Sequence, residues 1–339
     1  LFGFAINGDP KHLPTVVVAE EQSPFTRSLV SALTISDYFA IESTSTSSLQ
    51  AQSRLSRGEI QFILTIPKGF SRAIQRGEQP VLLLEADASD PMATVNAMGA
   101  MQQLAPQVLR HDLTGPLASL QPTHSAPFEL RVQRHYNPEG ITQYNTVPGL
   151  MGVILTMTMI MMTALGITRE VERGTMENLL ATPIRPLEVM IGKIAPYLLI
   201  GLLQVTIILC ATYWLFSVPF IGSLPLLLLI IMLFIAANLV VGITISSQAH
   251  NQTQAMQMTF FFFLPSIILS GFMFPFRGMP QWAQWIGELL PITHFIRITR
   301  GIMLRGNGFS DIWPDLWPLL LFTGVMMLIG LSRFRKTLD

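Results

Sequence analysis

Between Ile194 and Phe276 the chain carries no Asp, Glu, Lys or Arg, a run of 83 residues. A soluble fold cannot hide such a stretch from water, because the surface that covers an ordinary core needs charged side chains. Helices that cross a bilayer need this composition, since a charge in the hydrocarbon region costs several kcal/mol. The whole chain agrees with this, with only 21 basic and 21 acidic residues among 339 and half of all residues apolar. The formal net charge is zero, which argues against a nucleic-acid partner. The single cysteine, Cys210, lies in an apolar run and has no partner for an internal disulfide.

A helix rises about 1.5 Å per residue and the hydrocarbon core is roughly 30 Å thick, so about 20 apolar residues cross it. By that measure Pro148 to Ile167, Ile194 to Phe216, Leu224 to Ile245 and Leu316 to Ser332 read as spans. Phe260 to Phe274 is shorter, and reaches bilayer length when extended back to Ala255. The first six residues, Leu1 to Ile6, are apolar and the chain then turns polar, which suits the last turns of a further helix whose start is missing. The tail of a removed signal peptide is the other reading. The fold class expected is an α-helical polytopic membrane protein of six transmembrane helices, the first mostly missing.

Residues 7–146 differ in kind, with 10 basic and 13 acidic side chains. Thr15 to Ala19, Tyr38 to Glu42, Phe62 to Ile66, Val81 to Glu85 and Phe128 to Val132 read as strands. Pro24 to Ile35, Ser48 to Arg57, Lys68 to Arg76 and Met92 to Leu109 between them read as helices. This is an inserted mixed α/β domain, expected to be extracytoplasmic. Alternation nominates Val16, Val18, Phe39, Ile41, Phe62, Leu64, Val81 and Leu83 as its core, although Val17, Leu82 and Leu84 break the pattern and suggest strands covered on both faces. The sequence holds no P-loop, glycine-rich dinucleotide turn, metal-ligand cluster or nucleophile elbow.

Two segments carry unusual polar groups. After the first full span comes Arg169-Glu170-Val171-Glu172-Arg173-Gly174-Thr175-Met176-Glu177, followed by Leu179, Leu180 and Pro183. Glu170, Arg173 and Glu177 fall on one helical face and Met176, Leu179 and Leu180 form an apolar stripe. Such a helix can float at a membrane surface, but a face of mixed charge suits a protein partner better. The other segment runs from 274 to 300. Trp282 and Trp285, beside Arg277, suit the headgroup level, so it dips into the outer leaflet without crossing. Glu288, His294, Arg297 and Arg300 follow, where an anion-binding role competes with plain interfacial anchoring to membrane lipids. The methionines at 157, 159, 161 and 162 suit a permissive cavity, though core packing explains any one of them.

The chain resembles the permease subunits of type 2 ABC exporters, a family of drug, lipid and polysaccharide exporters. The residues that carry this are Arg169 to Glu177, Thr182-Pro183-Ile184-Arg185 with Gly192-Lys193, Arg134-His135-Tyr136-Asn137-Pro138, Phe276-Arg277-Gly278-Met279-Pro280, and Leu290-Pro291-Ile292-Thr293 running to Arg300-Gly301. The resemblance implies a multi-pass permease of the bacterial inner membrane that pairs with a second permease subunit, the same chain or a close homologue. A separate ABC ATPase subunit would bind ATP and Mg, with no cofactor in this chain, and a periplasmic adaptor would be a further partner. Residues 169–182 would be the coupling helix and 274–300 the re-entrant outer hairpin. The spans expose little charge, which fits amphiphilic or drug-like cargo. A membrane-anchored sensor using residues 7–146 as its ligand module and a passive channel are the alternatives, the first burdened by too many spans and the second by too sparse a polar lining.

The basic tail of Arg333, Arg335 and Lys336 and the four basic residues of 168–193 place those segments inside, against four arginines in the outer stretch 277–312. Cysteines introduced at Ser45 and Ser247 are therefore expected to label with an impermeant maleimide from opposite sides of the membrane. Labelling of both from one side would reverse this assignment.

Overall fold

The computed structural model describes residues 9–45, 47–114, 126–174 and 186–336. They form two compact units. Residues up to Asn145, together with Arg277–Pro280, make an α/β unit, and the remainder make a helical one.

The α/β unit is built on five strands, β1 (Leu13–Ala19), β2 (Phe39–Ser45), β3 (Phe62–Ile66), β4 (Val81–Asp87) and β5 (Glu129–His135), in the order β2-β1-β3-β4-β5. β1 pairs parallel with β2 and with β3, β4 runs antiparallel to β3, and β5 returns parallel to β4. Parallel neighbours need crossover helices, supplied by α1 (Pro24–Ile35) and α2 (Ser48–Ser56). α3 (Phe70–Gln75) and α4 (Pro91–Leu104) follow. The Ser23 hydroxyl caps α1 by accepting from the Thr26 N–H at 3.1 Å, and Pro24 sits in its first turn.

The sheet is covered on both faces, as the unbroken apolar runs suggested. Val17, Phe62, Leu64, Leu82 and Leu84 pack with Phe25, Leu29, Phe70 and Met101 on one side, and Val16, Val18 and Ile63 pack with Ala51 and Leu55 of α2 on the other. The expected core is corrected at β4, where Leu82, Leu84 and Ala86 are fully buried while Val81 and Leu83 are only partly so. The cause is strand parity. Val81 and Leu83 share a face with Glu85 and Asp87, so the wholly apolar face is the other one. Glu85 is itself buried and meets His135 Nε2 at 3.0 Å. β5 ends in a turn in which Tyr136 takes a positive φ of 69°. The fully buried Asn137 holds this turn, accepting from the Ile141 N–H and donating to the Ile141 carbonyl, each at 2.9 Å.

The helical unit contains α5 (Thr142–Glu172), α6 (Pro186–Trp214), α7 (Leu224–Ser246), α8 (Gln252–Leu269), α9 (Gln281–Glu288), α10 (Pro291–Arg300), a π-turn at Gly301–Arg305, and α11 (Phe309–Lys336). Among the described residues four helices are long and apolar enough to cross a membrane, Thr142–Glu172, Ala195–Trp214, Leu224–Ser246 and Phe309–Gly330. α8 is not one of them. It is 18 residues long, but Gln252, Gln254 and Gln257 occupy its first turns, and the chain turns at Gly271 with φ of 80° before reaching Phe274. The chain is thus a polytopic α-helical membrane protein with an inserted mixed α/β domain.

α7 is the hub. It packs against α11, α6, α10 and α8, and the Phe234 ring stacks on Phe295 of α10 at 3.9 Å between centroids. Its contact with α5 is close because Gly242 has no side chain. A Cβ there would lie 2.7 Å from Thr163 Cβ and 2.9 Å from the Ile160 carbonyl oxygen. The backbone oxygen cannot swing aside. Gly242→Val is therefore expected to force α5 and α7 apart and cost about 1–3 kcal/mol, read as a lowered unfolding temperature in detergent. Gly324→Val on α11, where a Cβ meets nothing within 4 Å, is expected to leave it unchanged.

Candidate functional site

α5 continues beyond its apolar stretch. Thr168 is buried, and the next turn, Arg169-Glu170-Val171-Glu172, is still helical. The helix then stops, with the Arg173 N–H donating to the Arg169 carbonyl at 3.1 Å and the Gly174 N–H to the Val171 carbonyl at 3.0 Å, while Gly174 adopts a φ of 68°. A glycine in the left-handed conformation is the common way to end a helix. The first residues of the helix expected over 169–182 are thus the end of the membrane helix, which stops at Gly174. Met176, Glu177, Leu179 and Leu180 lie outside the described residues.

Glu172 reaches across to the start of α8. One carboxylate oxygen accepts from the Gln252 backbone N–H at 2.8 Å and the other accepts from the Gln252 side-chain amide. Arg169 Nε donates to Gln252 Oε1 at 3.4 Å. Gln252 is the first residue of α8, and Asn251 caps the helix by accepting from the Gln254 N–H at 2.8 Å. A carboxylate at a helix N-terminus satisfies a donor without an intrahelical partner and faces the positive end of the helix dipole. Sequence reasoning missed Gln252. The cap itself was legible, because Asn251 followed three residues later by Gln254 is a helix-start signature, but its partner 80 residues upstream was not.

The second polar cluster lies in the hairpin of α9 and α10. Trp285 is 71% exposed and Trp282 39%, while Ala283 and Gly287 turn inward. Three of the nominated residues converge. Arg297 forms a two-pronged pair with Glu288, at 2.7 and 3.2 Å, and donates to Asp315 Oδ1 at 3.3 Å. His294 is almost wholly buried, with Nδ1 2.9 Å from the same Asp315 oxygen and Nε2 2.9 Å from the Glu288 carbonyl oxygen. The Arg297 guanidinium also covers the Phe276 ring at 4.4 Å. Asp315, in the second turn of α11, stands immediately before the Leu316 to Ser332 span and was not among the nominated residues. Its partners lie 18 and 21 residues away, beyond any local pattern.

A carbonyl oxygen only accepts, so His294 Nε2 donates to it, and Nδ1 lies against the Asp315 carboxylate. Arg297 stands between the two carboxylates and pairs with both.

The other two nominated arginines are elsewhere. Arg300 is buried and approaches the Gly271 carbonyl at 3.5 Å. Arg277 belongs to the α/β unit, where it donates to the Glu59 carbonyl at 3.0 Å. Among the described residues no group of three or more His, Cys, Asp or Glu side chains is placed to hold a metal ion. The arrangement offers half-buried ion pairs, helix caps and apolar surfaces, which can bind, hold and move.

Compared with known proteins, the chain matches the family described as ABC-2 family transporter protein over residues 1–332. It is 32% identical over 274 residues to the probable multidrug ABC transporter permease YbhR of Escherichia coli K12, covering 81% of this chain and 73% of that one. The probable multidrug ABC transporter permease YbhS of the same organism is 29% identical over 347 residues, covering 100% and 89%. The E. coli inner membrane transport permease YhhJ is 30% identical over 291 residues, covering 84% and 75%.

The hairpin cluster is expected to act as a unit. Replacing Asp315 by Leu leaves Arg297 and His294 with Glu288 as their one carboxylate, at an expected cost of about 2 kcal/mol. In a double-mutant cycle with His294→Leu the two losses should fall short of additivity by about 1 kcal/mol or more. Additive unfolding shifts would show that the two side chains do not depend on each other.

Proposed function

The chain belongs to the ABC-2 family of transporter proteins, and from that membership we propose how its parts divide the work. It is the permease component of an ABC exporter, a multi-pass protein of the bacterial inner membrane that performs no catalysis of its own. The finer reading adds six spans per subunit, pairing with a second permease subunit, and an ATPase subunit that binds ATP and Mg. An adaptor outside the membrane would be a further partner. Residues 7–146 face outward and the segment 169–182 faces the ATPase.

The observation that carries this reading is the run of α5 out of its apolar stretch into Arg169, Glu170 and Glu172 and its stop at Gly174. A membrane helix that ends in charge of both signs, next to a sharp turn, presents a rigid handle at the membrane surface. ATP-driven closure of two ATPases would push two such handles, and the attached helices would tilt as rigid bodies to alternate the access of a cavity between the permease halves. The cargo that suits such a cavity is amphiphilic or drug-like. The spans offer mainly apolar walls with a few hydroxyl and amide groups, such as Thr158 Oγ1 and Gln204 Oε1, 2.9 Å apart between α5 and α6.

Reversal of Glu170 and Glu177 to Lys keeps helix propensity and inverts the charge offered to a basic groove. Membrane abundance should stay normal, while recovery of the ATPase by affinity purification and cargo efflux from cells should each fall on the order of tenfold or more. Wild-type values for both would remove this segment from the coupling mechanism.

A further inference from the structure

α8 joins the two polar clusters. Its first residue is held by Glu172, and its first turn is packed, since Ala255 is fully buried in a cluster with Ile160 and Ala164 of α5 and Val241 of α7. At its other end it meets the hairpin. A Cβ on Gly287 of α9 would lie 2.7 Å from the Leu269 carbonyl oxygen and 2.6 Å from the Phe276 ring, so the hairpin backbone rests directly on the end of α8. The same Phe276 ring lies under Arg297. One continuous path thus leads from the charged end of α5, through the whole of α8, to the polar cluster of the hairpin.

We infer that Glu172 is a positioning residue that locks the start of α8 to the end of α5, so that a push on the segment after α5 drives α8 and the hairpin it carries. The inference rests on the proposed coupling role of that segment and adds a route that chain connectivity does not supply. The segment is joined covalently to α5 and α6, whereas α8 follows two further helices along the chain. The link has the geometry to carry a load. Both oxygens of one carboxylate are engaged by one residue, one of them with a backbone donor, so α8 cannot rotate or slide away from α5 without breaking two hydrogen bonds. Within the helix that N–H would have no other partner. A structural cap alone needs no such source, since Asn251 already caps α8 from within its own turn.

The position of Gln252 permits a clean test. Proline is favoured at the first helical position, where its missing N–H costs the helix nothing, and Asn251 before it is extended, with φ of −151° and ψ of 164°, as a residue preceding proline should be. Gln252→Pro therefore removes both donors to Glu172 and leaves the start of α8 intact. Glu172→Ala removes the acceptor, and Glu172→Gln keeps one acceptor oxygen without the charge.

The measurement is made on the full chain co-purified with its ATPase and reconstituted in vesicles, as fluorescent amphiphile exported per ATP hydrolysed. Gln252→Pro, which lies outside the segment proposed to face the ATPase, is expected to bind the ATPase and hydrolyse ATP as wild type does but to export less per ATP by about fivefold, the factor a lost helix cap corresponds to, and Glu172→Ala is expected to lower export per ATP by a like factor. Glu172→Gln should recover most of the loss. Unfolding temperatures should match wild type. If Gln252→Pro does not fold, Glu172→Ala and its rescue by Glu172→Gln decide the matter. Wild-type export per ATP in Glu172→Ala would overturn the inference. So would loss of ATPase binding together with export in Gln252→Pro, which would place the start of α8 in the docking surface instead. Failure of the wild-type chain itself to bind an ATPase or to export would instead sink the proposed function, so the two failures are distinguishable.

Discussion

Hydrocarbon offers no hydrogen-bond partner to an N–H or a C=O, and nearly everything in the helical unit follows from that lack. The backbone is satisfied by long helices, and the side chains obey the same rule. Thr156 returns its hydroxyl proton to the Gly152 carbonyl, Thr206 to Leu202, Thr244 to Val240, Thr259 to Ala255 and Ser266 to Phe262, each at 2.7 to 2.9 Å and each within its own helix. Even the fully buried Asn238 uses its amide in this way, donating to the Phe234 carbonyl at 2.8 Å. Polar groups that satisfy themselves locally demand little of neighbouring helices. Between helices, shape therefore matters more, and small residues set the distances, as Gly242 does against α5.

Local self-sufficiency also explains where the long-range polar contacts went. Apart from Thr158 with Gln204 between α5 and α6, they gather near the ends of helices, where four N–H or C=O groups have no partner within the helix and where charge is cheaper to keep. Glu172 with Gln252 is one such place and the Glu288, His294, Arg297 and Asp315 cluster is another. Both unite residues from different helices through groups that the helix interiors could not hold.

How much of this was legible in the sequence divides along the same line. Features set by local pattern could be read directly. The apolar runs placed four spans, the alternation of strands and helices placed the α/β unit, and three of the hairpin residues were nominated from their chemistry. Helix ends were read less well, because polar residues such as Gln252 to Gln257 and Asp311 to Asp315 extend helices past the point where their apolar stretches stop. The error at β4 had a different origin. Both parities of Val81 to Leu84 are apolar, and only Glu85 and Asp87 further along distinguish the face that carries polar groups. What could not be read was pairing across distance. Nothing in the neighbourhood of Asp315 points to His294, and nothing near Glu172 points to Gln252.

For a permease that alternates access, this division has a mechanical consequence. A helix that keeps its polar groups within itself can tilt or slide without breaking a hydrogen bond, so apart from Thr158 with Gln204 the interior of the bundle offers little polar resistance to movement. Apolar packing resists more, but a packed surface that shifts to a second close-packed arrangement regains most of what it gives up. The contacts that cannot be regained by sliding are the directed ones at the helix ends. α7 has the most to lose by separating, since it packs against α11, α6, α10 and α8 and lies close to α5 at Gly242. The energetic barriers of a transport cycle would thus concentrate in the contacts of α7, among them the α5 contact that Gly242 makes tight, and in the two polar clusters. Those clusters consist of hydrogen bonds and ion pairs that can be exchanged for water or for a partner's groups, and exchange of that kind is what allows a small local push to select between two arrangements of an otherwise rigid set of helices.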